Sequence, residues 1–152
     1  MTSQEKKKIL KGYAQIEKRV SELRDEIDML WKMPMSVTSI AGAIAHGGNG
    51  DGKKMERAYE RIEKLTNKLE QEIDEMLLLE YKIVGAIQKL PDIIERRVLT
   101  LAYIGKSVPS RNGKTVEHKR LSLFNIAKEL SYSHDWIKHV HGNALLHIEF
   151  LE

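Results

Sequence analysis

The densest chemistry in the chain lies between Lys106 and His147. Lys106, Arg111, Lys114, Lys119 and Arg120 stand against Glu117 alone, which leaves the Lys106–Arg120 stretch with a local charge of +4. A segment of that kind can lie along a phosphate backbone and add salt-sensitive, sequence-independent affinity, or it can be an ordinary solvated loop. Five of the six histidines fall in His118–His147. Imidazoles so close together raise the question of a metal. No His-Glu-x-x-His pattern or cysteine pair supports zinc, and His139 lies off the face shared by His134 and His141. No metal and no other cofactor is expected. Catalysis fares no better. Gly47–Gly52 lacks a preceding strand and the Gly-Lys-Ser/Thr ending of a phosphate loop, and no nucleophile sits beside a base in any defensible pattern.

The elements that position these residues are read from the apolar spacing. Ile126, Leu130, Ile137 and Val140 are the pins of two short helices, with the small Ala127 where steeply crossing helices need little bulk. Ser133 suits the N-cap of the second helix, and Ser131-Tyr132 breaks the first. Two helices joined so tightly predict a helix-turn-helix, whose second helix is free to enter a major groove. Upstream, Pro91-Asp92 opens another short helix, with Ile93, Ile94, Val98, Leu101 and Ala102 on one face and an end near Gly105. Tyr132 reads as a core filler and Lys106–Arg120 as a polar loop. Trp136 has a competing role, packing against the arm or a partner.

The first ninety residues have another rhythm. Ile9, Tyr13, Ile16, Val20, Leu23, Ile27 and Leu30 alternate spacings of four and three, as do Met55, Tyr59, Ile62, Leu69, Ile73, Met76, Ile83, Ile87 and Leu90, with Thr66 and Glu80 interrupting the second seam. These are heptad helices, about 3–33 and 53–90, and Pro34 should stop the first. The connection 34–52, rich in Gly, Ser, Thr and Ala, reads as flexible, with a helical turn or two over Val37–Ala45. The expected fold is all-α: an antiparallel coiled-coil hairpin over 1–90, then a helix-turn-helix domain over 91–152. A two-helix hairpin buries little surface, so the arm should self-associate or dock on something. With 16 basic against 15 acidic residues in 1–90, the arm carries no strong nucleic-acid signal. No bilayer-length apolar run occurs, the start is too charged for a signal peptide, and the chain of 152 residues has no cysteine. A soluble, cytoplasmic, membrane-free setting is expected.

Leu90-Pro91, Glu95-Arg96-Arg97-Val98-Leu99 and Leu101-Ala102-Tyr103 resemble the opening of region 4 of sigma-70-type transcription factors. So do Leu121-Ser122-Leu123, Ile126-Ala127-Lys128-Glu129-Leu130-Ser131-Tyr132-Ser133 and His141-Gly142-Asn143-Ala144-Leu145. The whole chain resembles small phage and prophage regulators that carry a coiled-coil arm before such a helix-turn-helix. Two departures stand out. Ser131 occupies the turn position that is usually glycine, where a left-handed backbone would cost about 1 kcal/mol or more. The 106–120 connection is also longer than is typical.

The resemblance implies a DNA-binding transcription regulator in a bacterial host cell. It would bind double-stranded DNA, and its arm would set oligomeric state or touch RNA polymerase. The chain lacks room for the other sigma regions, so it would not be a complete sigma factor. Carried over by position, Ser133 would cap the recognition helix and reach a phosphate. His134, Asp135, Trp136 and His139 would sit at base edges or nearby backbone, and Lys138 on a phosphate. Imidazoles stand where arginines usually read guanine. That implies weak sequence preference, or binding that strengthens as histidines protonate below about pH 6.5. Two other classes remain open: the DNA-recognition (small) subunit of a phage packaging terminase, and a pure protein-interaction module.

Overall fold

A computed structural model of the chain describes residues 1–35, 49–110, 113 and 116–151. Helix α1 spans Ser3–Met35 and α2 spans Asn49–Gln88. A reciprocal capping box starts α1: the Thr2 amide donates to Glu5 Oε2 at 2.7 Å and the Glu5 amide to Thr2 Oγ1 at 3.2 Å. These two bonds satisfy amides that the first turn would leave bare. Of the expected connection, residues 36–48 lie outside the described residues, Val37–Ala45 among them. Its edges belong to the helices, since α1 runs one residue past Pro34 and α2 opens at Asn49. The two long helices form the antiparallel hairpin of an all-α fold.

Contacts divide the chain into two compact units, Ile16–Glu75 and Met1–Gln15 with Met76–Glu152. In the first, Leu23 and Ile27 of α1 pack on Ile62 and Leu65 of α2, with Leu30 and Leu69 at the margins. Arg61 Nη2 meets Glu26 Oε1 at 3.1 Å and Arg19 Nη2 meets Glu72 Oε2 at 3.5 Å. The interruptions expected at Thr66 and Glu80 are bridged by their neighbours. Leu65 is buried in the seam, Leu79 packs against the core of the other unit, and the Thr66 hydroxyl turns back onto Ile62 O at 2.7 Å. A straight helix has ~3.6 residues per turn, so a 3.5-residue stripe drifts and the adjacent leucine takes over.

The second unit carries two clusters. Leu10, Tyr13, Ile83, Ile87 and Leu90 join Leu99, Tyr103, Ala144, Leu145, Ile148 and Phe150 in one. The expected domain boundary at residue 90 therefore runs through a shared core. The other cluster, Val98, Ile126, Ala127, Ile137 and Val140, is the centre of the helix-turn-helix.

Helix α3, Ile93–Leu99, is capped by Asp92, whose Oδ1 accepts from the Ile94 amide at 2.8 Å. It widens into a π turn over Thr100–Ile104, closed by the Gly105 amide on Thr100 O at 2.7 Å. Gly105 takes φ +105°, and a Cβ there would meet the Lys119 carbonyl at 2.9 Å, so only glycine fits.

The expected polar loop over 106–120 is corrected. Lys106–Pro109 (β1) and Val116–Lys119 (β2) form an antiparallel ladder, pairing Lys106 with Lys119 and Ser107 with His118. Val108 and Val116 favour extended backbone, and beyond Pro109 the Gly113 amide donates back to Ser110 O at 2.9 Å. Gly113 accordingly has φ +69°. Helices α4, Leu123–Leu130, and α5, His134–His147, complete the chain.

Candidate nucleic-acid interface

Two serines start the helices of the motif. Ser122 Oγ accepts from the Asn125 amide at 3.2 Å, and Ser133 Oγ accepts from the Trp136 amide at 3.2 Å. Between them the chain reverses at Ser131, which sits in the left-handed region at φ 62°, ψ 40°. The Tyr132 amide then reaches back to Ala127 O at 2.9 Å, closing a Schellman-type end. Ala127 is 4% exposed and lies where α4 meets α5. Ile137, Val140, Ala144 and Leu145 face inward from α5. That stripe fixes which side of α5 is left for a partner.

The outward side carries Asp135, Trp136, Lys138, His139 and Gly142, all exposed, with Asn143 half-buried at its edge. At ~100° per residue, Trp136, His139 and Asn143 share about 60° of the helix circumference. The Trp136 and His139 rings lie 6.0 Å apart, tilted by 32°. His134 turns instead toward α4, edge-on to Phe124 at 5.7 Å, and Lys128 Nζ sits 4.5 Å over the same Phe124 ring. Ser133 spends its acceptor on the cap, while its hydroxyl proton stays available to a phosphate.

Asn143 and Phe124 were not singled out from the sequence. The signal for Asn143 is its spacing, one turn beyond His139 and off the apolar stripe; Asn pairs well with the adenine edge. Phe124 reads like a core residue, yet it is 52% exposed. Tyr132, expected in the core, is corrected in the same way: it is exposed, because the left-handed turn at Ser131 swings the next side chain outward.

The basic residues of the hairpin separate into different fates. Arg111 and Lys114 lie outside the described residues. Lys119 is exposed on β2. Arg120 is built into the fold: its Nε donates to Tyr103 O at 2.8 Å and its guanidinium lies 5.3 Å over the Tyr13 ring. Lys106 pairs with Glu129 of α4, and that cation holds the Glu129 carboxyl below its usual range.

The remaining histidines on α5 have structural partners. His141 Nε2 lies 2.7 Å from the Tyr103 hydroxyl. Burial lowers the His141 pKa, helped by the nearby Lys7 charge, and burial pushes Tyr103 up to about 12. Both shifts favour the neutral pair, with the phenol donating to an unprotonated ring nitrogen. His147 Nδ1 meets both oxygens of Glu95, at 2.9 and 3.1 Å, and Glu95 is only 5% exposed. Among the described residues no three His, Cys, Asp or Glu side chains gather as metal ligands would. No described helix is long and apolar enough to cross a membrane. No family model, no curated protein and no solved structure matches the chain, so the site stands on its own residues.

Proposed function

We propose that the chain is a phage-type DNA-binding transcription regulator that lays α5 in the major groove of double-stranded DNA. The observation carrying this reading is the outward face of α5. A helix pinned by Ile137 and Val140 on one side presents Trp136, Lys138, His139 and Asn143 on the other, behind a serine-capped turn. Lys119, Lys128 and Lys138 would lie on phosphates and supply the salt-dependent part of the affinity. Trp136 would meet a thymine methyl, His139 a purine acceptor and Asn143 an adenine edge, which together favour A·T-containing steps. The arm would hold two such domains at half-site spacing or touch RNA polymerase.

A second reading has its own observation. Phe124, Tyr132 and Trp136 are each more than 40% exposed on the α4–α5 region. Aromatics of that kind also anchor protein interfaces, as a pure interaction module would use them.

Binding of genomic duplex fragments at two salt concentrations separates these readings. Salt-sensitive retention with enriched sites upstream of genes is expected. Lys138→Ala should weaken every sequence alike and cut the salt slope by about 1, whereas His139→Ala should change the preference at particular positions. No DNA retained at low salt would leave only the interaction module.

A further inference from the structure

Beside the helix-turn-helix, the outer face of α2 carries an apolar surface that the hairpin does not use. Tyr81 is 83% exposed, Leu78 71% and Leu77 53%, and Leu151, the last described residue, joins them at 77%. On α2, residues 77, 78, 81, 85 and 88 fall in a sector of about 100°, at ~100° per residue. Leu77, Tyr81, Gly85 and Gln88, with Val84 and Leu151, line a shallow groove of about 700 Å³, and Leu78 projects next to it on the same face. A Cβ on Gly85 would meet nothing within 4 Å. A glycine costs helix stability in mid-helix, and here its absent side chain leaves open backbone beside a projecting tyrosine.

We infer that this face of α2 binds a second copy of the same chain, in an antiparallel pair related by a two-fold axis between Tyr81 and Gly85. A projection and a recess four residues apart on one helix are self-complementary under that symmetry. Tyr81 of each copy fills the space over Gly85 of the other, and both contacts form at once. Leu77 and Leu78 then cover the aliphatic parts of Gln88 and Lys89. The charge at the groove suits a second copy better than a nucleic acid or an anionic membrane. Its ionic lining is Glu80 and Glu149 against Lys82 and Lys89, two of each sign. Covering four large apolar side chains on each copy removes on the order of 1,000 Å² from water, the lower end of what a specific interface needs. The dimer gives the DNA-binding reading its two domains, yet it stands without DNA binding.

Sedimentation velocity on the full chain tests it across a concentration range from about 1 to 100 µM. The native chain should be a dimer at the upper end. Tyr81→Glu and Gly85→Gln should each weaken dimerisation at least tenfold. Neither touches a packed core, and the second should raise thermal stability of the monomer as it abolishes pairing, which separates lost association from lost folding. Met29→Gln, exposed on α1 and away from this face, should dimerise normally. A native chain that stays monomeric at 100 µM overturns the inference. So does an oligomer of any size that is indifferent to both α2 substitutions.

Discussion

The two compact units are held by different means. In Ile16–Glu75 the packing is a repeated stripe, four buried side chains and their neighbours, flanked by the exposed Arg61–Glu26 pair and by Arg19 on the half-buried Glu72. In the other unit two apolar clusters surround single-copy polar contacts: Glu95 with His147, Tyr103 with His141, Arg120 with Tyr103 and Tyr13. A stripe can shift by a turn and still pack. A buried carboxylate facing one imidazole cannot, because every other arrangement strands it. The contrast teaches that the arm's register rests on many interchangeable contacts, whereas the domain that presents α5 is specified by a few irreplaceable ones.

The largest effect should come from breaking one of those. His147→Ala takes the Nδ1–H donor from the Glu95 carboxylate, and because water can enter where the half-exposed ring stood, it should lower stability by about 1–2 kcal/mol in denaturant unfolding. The matching cut in the arm, Arg61→Ala, removes a pair in which both side chains are largely solvated and should cost about 0.5 kcal/mol or less. Equal losses would erase the distinction between the units.

A smaller effect should appear as pH dependence. The folded state holds His141 below its ordinary pKa, so the unfolded chain binds that proton more readily. The contribution is complete above the unfolded value of ~6.5 and is lost as pH falls through the folded value. Tyr103 works in the opposite direction: folded at about 12, it loses its contribution as pH rises above the ordinary ~10. Unfolding midpoints of the native chain should therefore drop as pH falls below ~6.5, and His141→Phe should flatten that drop. An unchanged profile in His141→Phe would move the acid sensitivity to another group.

What was legible in the sequence follows the same division. Heptad spacing gave both arm helices, and the Ile126–Val140 pins with Ser133 gave the helix-turn-helix, because each depends on neighbours in sequence. The joining of Leu10 and Tyr13 to Ala144 and Ile148 in one core has no local signature, so a boundary at residue 90 looked natural. The hairpin's strands are only four residues each and rich in charge, so their pairing left little apolar alternation to read. On α5, the exposed polar residues could be placed from the spacing of its apolar stripe. The outward turn of Tyr132 and the exposure of Phe124 depend on the backbone at Ser131 and on packing across α4 and α5.

Ser131 itself gives the sharpest test. A serine at φ 62° pays for a Cβ in the left-handed region, and the helix end formed by the Ala127–Tyr132 bond requires that conformation. Ser131→Gly removes the clash but widens the unfolded ensemble, so the net gain should be about 0.5–1 kcal/mol. For a chain of this size that is about 1–4 °C in Tm. Because the turn's geometry is unchanged, the exposed face of α5 should stay where it is and any DNA affinity should not move. A gain in stability with altered affinity would mean that strain at Ser131 tunes the interface. A loss of stability would mean that its hydroxyl makes a contact outweighing the strain.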